Sequence, residues 1–205
     1  MGHPKKPRKK YSTPGHPWQK GRIDEEKELM KEYGLRNKRE IWKSGTQLSK
    51  FKRQAKKLSA LDTEQSSKET KQMVDKLKSY GLIKEGSFDE ILGLSINNIL
   101  ARRLQSMLVT KKLARTTSQA RQMITHNHIK VNGKAISSPA YLVKTNEEES
   151  ITFNEKSNFS NENHPERIIK KEMEELEKEI ESTKSTDEKK VDDLDEEKKD
   201  EVKKE

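Results

Sequence analysis

The most distinctive chemistry in this chain lies in 56 consecutive residues, Ile91 to Asn146, which contain nine Lys or Arg and no Asp or Glu. Charged residues make up 39% of the whole chain, so acids would be expected among 56 consecutive residues. Their absence leaves this segment clear of negative charge. Clustered cations of this kind bind phosphate, because guanidinium groups pair with phosphate oxygens and each cation releases a counterion from nucleic acid. The segment therefore predicts a nucleic-acid-binding surface.

Most of the side chains that we expect to contact nucleic acid here are cations, and the others are amides and a histidine. They are Arg102, Arg103, Lys111, Lys112, Arg115, Arg121, Gln122, His126, Lys130, Asn132 and Lys134. The spacing of Arg121 against the apolar residues Ala120 and Met123 predicts that its side chain points outward, and the same reasoning places Arg103 outward. Two alternatives stay open: one or two arginines pair with main-chain carbonyls at helix ends, and Asn132 serves only a turn.

A second set of cations precedes this segment. The first ten residues hold five Lys or Arg, and the prolines at positions 4, 7, 14 and 17 predict an extended arm. Tyr11 and Trp18 in this arm are expected to stack on bases, the alternative being a plain basic tail. The arm and the helix predicted over 38–61 add these expected nucleic-acid contacts: Lys5, Lys6, Arg8, Lys9, Lys10, Arg53, Lys56 and Lys57.

No group of residues predicts catalysis, a metal site or a cofactor. The chain has no cysteine, which excludes disulfides and thiolate ligands and fits a reducing compartment. His126 and His128 are neighbours, but no carboxylate in their segment could complete a metal site. The sequence has no apolar run of the ~20 residues that span a bilayer and no signal peptide. We therefore expect a cytoplasmic protein that is not an enzyme and contacts no membrane.

The elements that position these side chains begin with a mostly helical region over residues 23–94. Apolar periodicity predicts helices from an N-cap at Asp24 to about Tyr33, from 38 to 61, and from 63 to 80. Glycine is expected to end the first of these helices at Gly34. The chain is only 28% hydrophobic, so the core of this region should be thin.

The next region reads as two helices. A single apolar stripe from Ile96 to Leu108 predicts one helix that starts after Ser95. The run of capping residues Thr116–Ser118 predicts the start of a second helix.

Short strands follow these helices, because the apolar pattern changes to alternation. Asn132-Gly133 is a strong signal for a hairpin turn. Further strands are expected at 141–143 and 151–153.

The expected fold class is therefore α+β, with a helical N-terminal domain, a small module of helices and antiparallel sheet, and a disordered charged tail. Residues 166–205 carry 17 acids and 11 Lys or Arg, which reverses the charge of the rest of the chain. The expected divisions are a basic arm over 1–22, a mostly helical domain over 23–94, the small module over 95–156, a linker over 157–182 with a short helix that starts at Pro165, and an acidic tail over 183–205.

Short motifs in the module resemble the RNA-binding fold named after ribosomal protein S-four. They are RRLQ at 102–105, ARQMITH at 120–126 and IKVNGK at 129–134. In the N-terminal half, PKKPRKKYSTPGHPW, EYGLRNKREIWK and FKRQAKKL resemble the archaeal and eukaryotic members of the S-four family itself. The likeness extends from residue 1 to about residue 153.

The resemblance implies a structural component of the small ribosomal subunit. Such a protein would bind rRNA of the five-prime domain early in assembly, nucleate the body of the subunit, and contribute to decoding accuracy beside protein S-five. It also implies a contact with mRNA where the message enters the subunit. Two other classes stay open: an RNA-modifying enzyme anchored by the module, for which the chain offers no catalytic domain, and a non-ribosomal RNA chaperone or regulator.

Overall fold

The computed structural model describes residues 9–161 and residue 164, and it gives helices followed by a small sheet. Lys5, Lys6 and Arg8 and the expected acidic tail over 183–205 lie outside these residues, as does the helix expected after Pro165. The elements are α1 Lys20–Glu32, α2 Lys38–Ser59, α3 Glu64–Ser79, α4 Phe88–Gly93, α5 Ile96–Ala101, α6 Leu104–Thr110, α7 Thr117–Thr125, β1 Ile129–Val131, β2 Lys134–Ala135, α8 Thr145–Glu148 and β3 Ile151–Phe153, followed by a 3-10 turn at Asn158–Ser160.

Helix α1 begins five residues earlier than the sequence predicted. Gln19 occupies the N-cap position, and Asp24 lies inside the helix, where its carboxylate pairs with Lys27 at 3.1 Å. The prediction of Asp24 as the N-cap is therefore wrong. The helix starts earlier because Arg22 donates hydrogen bonds back to the carbonyls of His16 and Pro17, at 3.0 and 2.8 Å. These bonds hold the arm against the first turn of the helix.

The two long helices α2 and α3 confirm their predicted positions. In α2 the buried side chains recur every three or four residues, from Ile41 through Leu48 to Leu58, as the apolar pattern indicated. Thr63 caps α3 in a reciprocal box with Ser66, in which each main-chain N–H donates to the other residue's hydroxyl, at 3.2 and 3.1 Å. Between α3 and residue 94 lies a short helix, α4, which was not among the predicted helices.

The single helix expected from Ile96 to Leu108 is wrong, because the chain breaks between α5 and α6. Arg103 is in extended conformation (φ −72°, ψ 146°), and forms an isolated antiparallel bridge with Leu142. Leu104 N–H donates to the Tyr141 carbonyl at 2.8 Å, and Val143 N–H donates to the Arg102 carbonyl at 3.0 Å. These hydrogen bonds replace those that a continuous helix would form. The strand expected at 141–143 is therefore present only as this isolated bridge, opposite the break between α5 and α6.

The sheet has the order β2-β1-β3, and both pairings are antiparallel. Asn132 and Gly133 join β1 to β2 with positive φ values of 50° and 74°, the backbone that a two-residue hairpin turn requires. The predicted hairpin is thus confirmed, as is the strand over 151–153. The short helix α8, which precedes β3, was not predicted.

The core of the described residues forms clusters that join the two regions. Leu104, Met107 and Ile124 pack with the sheet, whereas α2 and α3 form a second cluster. Ile99 of α5 belongs to the second cluster, and Leu100 packs with Ile41 of α2. The predicted α+β fold class is confirmed, while the division at residue 94/95 stays a prediction. Over the part of the chain that is described, no helix has the length and apolar character needed to cross a membrane.

Gly34 allows the end of α1 to approach α7 closely. It has a φ of +58°, and a Cβ there would lie 2.5 Å from the Thr117 Oγ1 atom. Gly133 has a φ of +74° but would place its Cβ in open space. Comparing alanine substitutions at these two glycines separates the cost of the backbone conformation from the cost of the steric clash.

We predict that Gly133→Ala lowers the free energy of unfolding by about 1–2 kcal/mol, the cost of left-handed backbone for a residue with a Cβ. Gly34→Ala should lower it by about 2–5 kcal/mol, because overpacking against Thr117 is added. Urea denaturation of both variants measures the difference. Equal losses would contradict the clash and show that Thr117 yields without cost.

Candidate nucleic-acid interface

The loop between α6 and α7 presents two of the predicted RNA-binding cations. Lys112 and Arg115 are exposed, whereas Ala114 between them is buried against the module core. Lys112 has a φ of 56°, and the Arg115 N–H donates to Gln119 Oε1 at 2.7 Å. The buried residue and the backbone hydrogen bond give the loop a defined shape with its cations outside.

The start of α7 is set by its capping residue, as the sequence predicted. Thr116 accepts a hydrogen bond from the Gln119 N–H at 3.2 Å. Helix α7 then buries Ala120, Met123 and Ile124 and leaves Gln122 exposed. The predicted polarity of this helix is therefore largely confirmed, with Arg121 as the exception described below.

The hairpin carries further predicted residues with different surroundings. Asn132 and Lys134 are exposed at the turn and on β2. Lys130 is instead paired with Glu155, at 3.0 Å. The hydrogen bond and the charge of Lys130 lower the pKa of the Glu155 carboxyl, so this acid is ionised at neutral pH.

The two histidines at the corner between α7 and β1 have different environments. Their rings stack with centroids 5.9 Å apart, and His126 is exposed. The Nδ1 atom of His128 lies 2.8 Å from the Ser157 hydroxyl, and its ring packs edge-on against Phe159. Burial, together with the charge of His126, lowers the pKa of His128, so its ring is neutral at physiological pH.

The arginines of the acid-free segment are not all directed to solvent. Arg103 is 3% exposed, and its Nη2 atom lies 2.5 Å from Glu40 Oε2. Arg121 is half-buried and donates to Glu40 Oε1 at 2.7 Å. The expectation that Arg103 points outward is wrong, and the same expectation for Arg121 holds only in part. Both side chains turn inward toward the Glu40 carboxylate, which is 63 residues from Arg103 and 81 residues from Arg121 in sequence.

Gln105 extends this group, which we call the Glu40 cluster: Glu40, Arg103, Gln105 and Arg121. The two hydrogens of the Gln105 amide nitrogen are shared among three carbonyls, those of Tyr33 at 3.2 Å, Gly34 at 3.0 Å and Thr117 at 2.9 Å. Its oxygen accepts from Arg121 at 3.4 Å. The cluster therefore ties the end of α1, the start of α2, the α5–α6 break and α7 together.

Sequence reasoning missed Glu40 and Gln105 as positioning residues. The available signal was that Glu40 is the one acid of α2, a helix with eight Lys or Arg. Burial disfavours the charged form of Glu40, but hydrogen bonds from Arg121 and Arg103 outweigh it, so the pKa of Glu40 is lowered. Glu40 is therefore ionised at neutral pH.

Glu148, which lies beyond the end of the segment, engages two more of the predicted residues. Arg102 pairs with the Glu148 carboxylate and donates to the Val143 carbonyl at 3.2 Å, while the Lys111 ammonium donates to the Glu148 carbonyl. Arg102 therefore fits the alternative given above, in which one or two of the arginines pair with main-chain carbonyls.

The described part of the arm lies against α1 and α2. Tyr11 packs on Trp42 with ring centroids 6.3 Å apart, so it is half-buried inside the protein, whereas Trp18 is 90% exposed. Buried Glu26 accepts from Trp42 Nε1 at 2.9 Å and pairs with Arg22 at 2.8 Å. The predicted cations of this region are exposed or partly exposed; those described are Lys9, Lys10, Arg53, Lys56 and Lys57.

Among the residues that the structure describes, no group of three or more His, Cys, Asp or Glu could hold a metal ion. A family model described as the S4 domain matches residues 102–148, the span from Arg102 to Glu148. The small ribosomal subunit protein uS4 of Methanococcus maripaludis strain C7 is 48% identical over 169 residues, which cover 82% of this chain and 95% of that protein. The chain belongs to the uS4 family.

The same protein of Methanococcus vannielii is 47% identical with the same coverage. Membership of the uS4 family confirms the predicted S-four resemblance and the prediction of a ribosomal protein that is not an enzyme. Within this uS4 family member, Glu40 lies outside the S4 domain match and Arg103 and Arg121 lie inside it. The Glu40 cluster thus joins the S4 domain to the helices that precede it.

We predict that Glu40→Gln lowers the free energy of unfolding at pH 7 by about 3–5 kcal/mol, because it leaves the buried Arg103 guanidinium without its carboxylate. The pKa of Glu40 is lowered in the folded state from its ordinary value of 4.5. The stability that the ionised carboxylate contributes is therefore complete above pH 4.5 and is lost as the pH falls through the pKa of Glu40 in the folded protein. The difference from the parent protein should therefore shrink in acid.

Urea denaturation at neutral and acidic pH tests this, with Glu25→Gln on α1 as the matched control because Glu25 is exposed. The control should change stability by less than about 0.5 kcal/mol. A Glu40→Gln protein as stable as the control at pH 7 would show that the cluster does not hold the two regions together.

Proposed function

We propose that this chain is a structural component of the small ribosomal subunit and binds small-subunit rRNA through its sugar–phosphate backbone. The observation that carries the proposal is the set of exposed cations on the acid-free segment that makes up most of the S4 domain, above all Lys112 and Arg115 in their shaped loop. The uS4 proteins to which the chain is similar are named as proteins of the small ribosomal subunit.

The mechanism is recognition of RNA shape. A-form RNA exposes phosphates and ribose hydroxyls more readily than base edges, so a rigid surface of cations and amides suits it. Arg115 and Lys112 would neutralise phosphates, while Gln122 and Asn132 would hydrogen-bond to ribose or base edges. Lys134 and His126 extend the exposed set along the hairpin and the end of α7.

The helical region offers a second RNA surface. Exposed Arg53, Lys56 and Lys57 lie on α2, and Lys9 and Lys10 lie in the arm. Trp18 is available for stacking on a base. Because the Glu40 cluster holds α2 against the S4 domain, one rigid protein could fix the angle between two RNA segments, which is what nucleation of a subunit body in the five-prime domain requires.

The role of the buried arginines is different in this proposal. Arg103 would have to leave Glu40 to reach a phosphate, so we assign it to positioning the S4 domain. Arg102, Lys111 and Lys130 have partners within the protein and would contact RNA only at the edges of the surface. Arg121 keeps part of its charge accessible.

The finer roles implied by the family likeness complete the proposal. A contact with protein S-five would couple this chain to decoding accuracy, and a contact with mRNA would lie where the message enters the subunit. A polysome gradient tests residence directly, because a subunit component co-sediments stoichiometrically with small subunits. A non-ribosomal RNA regulator would remain in the soluble pool.

We predict that binding of the purified protein to a five-prime-domain rRNA fragment weakens by at least about 10³-fold between about 50 and 200 mM salt, because several phosphate contacts release counterions. Lys112→Gln with Arg115→Gln should reduce the slope of log affinity against log salt by about 1.4–1.8. Fluorescence anisotropy measures both.

The matched control is Lys68→Gln with Lys71→Gln, which removes two exposed cations from α3. It should leave the slope unchanged. Salt-independent binding of the parent protein, or equal effects of the two double variants, would contradict a phosphate-dominated S4 surface.

A further inference from the structure

A cleft of about 550 Å³ lies between the end of α1 and helix α7, so its walls come from the helical region and from the S4 domain. Three of its lining residues are cations, namely Lys31, Arg36 and Arg121. Three more can form hydrogen bonds: Ser118, Gln122 and Thr125. The remaining lining residues are apolar or glycine, and none is acidic.

The two cations on the α1 side have no carboxylate partner in the part of the chain that the structure describes. Lys31 and Arg36 are both exposed, and neither forms an ion pair or hydrogen bond through its side chain within these residues. Most long cations on a helical surface are solvated, so their exposure alone would carry little weight. Their place on the rim of a cleft that contains no acid is the informative observation.

The Glu40 cluster adds positive charge behind this cleft. Arg103 and Arg121 bring two positive charges against the single negative charge of Glu40, which leaves one positive charge in excess. Arg121 is both a member of this cluster and a lining residue of the cleft. The excess charge is therefore placed where an anion in the cleft would balance it.

The hydrogen-bonding residues favour an anion with neutral polar groups attached. The Thr125 hydroxyl oxygen lies 3.1 and 3.0 Å from the main-chain carbonyls of Arg121 and Gln122, so its one hydrogen is directed to them and the oxygen faces other partners as an acceptor. The Gln122 amide can donate and accept. A phosphodiester with its ribose hydroxyls offers both kinds of group, whereas an acidic side chain offers acceptors only.

We propose that this cleft binds one nucleotide step of RNA backbone, with the phosphodiester between Lys31 and Arg36 and the ribose against Gln122. The inference rests on the proposed rRNA binding and names a site for it outside the residues that the sequence analysis selected in the N-terminal half. The volume is within the range of pockets that hold nucleotide-sized ligands. RNA seated there touches both regions and reinforces the junction that the Glu40 cluster makes.

The test is Lys31→Gln with Arg36→Gln in the full chain, titrated with the five-prime-domain rRNA fragment at several salt concentrations. We expect affinity at physiological salt to fall about tenfold or more, and the salt slope to decrease by about 0.7–0.9, because the contact with one phosphate is lost. The control is Lys68→Gln with Lys71→Gln, which should leave the slope unchanged. Circular dichroism verifies that both variants keep the parent melting temperature.

The outcomes separate this inference from the proposed function. If the parent protein binds rRNA with steep salt dependence and the cleft variant binds equally well, the cleft assignment is overturned and the proposed function stands. If the parent protein does not bind rRNA, both fail. A cleft variant that binds rRNA normally but no longer joins the small subunit would indicate an acidic protein partner and overturn the RNA assignment.

A second readout uses the absence of cysteine from the chain. Glu28→Cys places a unique thiol on α1, one turn before Lys31 and outside the cleft, to which an iron chelate that generates hydroxyl radicals is attached. We expect a focused set of backbone cleavages in the bound rRNA that disappears in the Lys31→Gln, Arg36→Gln background. Cleavage identical to that from Ser67→Cys on α3 would contradict RNA in the cleft.

Discussion

The carboxylate of Glu40 is the constraint on which the arrangement of this molecule depends. It sits in the first turn of α2 and receives the guanidinium groups of Arg103 and Arg121 from two other parts of the chain. An Arg that is 3% exposed is tolerable only with such a partner, because an unpaired buried charge costs several kcal/mol. Gln105 completes the junction by satisfying main-chain carbonyls at the ends of two helices. These contacts hold the helices before the S4 domain in one position against it.

The positive charge of the S4 domain divides into a structural and an accessible part. Acids from outside the segment, Glu40 before it and Glu148 after it, engage the arginines nearest the core. Cations on the loop and the hairpin, such as Arg115 and Lys134, remain at the surface. A rigid scaffold with its fixed ion pairs inside and its cations outside is suited to an RNA of defined shape, since little order has to be created when the two bind.

Features that depend on neighbours in sequence could be predicted. The long helices α2 and α3 follow from apolar periodicity, the start of α7 from its capping threonine, and the hairpin from Asn132-Gly133, whose positive φ values few other residue pairs accept. The nucleic-acid character follows from composition, because a segment with nine Lys or Arg and no acid has a net positive charge however it folds. Family membership likewise follows from short motifs that the S4 domain match then covers.

Tertiary structure alone decided the features that depend on distant partners. The apolar stripe across α5 and α6 is continuous in sequence, yet the helix breaks because Arg102 and Leu104 exchange main-chain hydrogen bonds with residues about forty positions later. Arg121 has helical spacing that indicates exposure, but a carboxylate 81 residues away draws it inward. Periodicity reports which face of an element is apolar. It carries no information about which charge from another element lies opposite that face. This pairing determined which arginines hold the fold together and which lie at the surface.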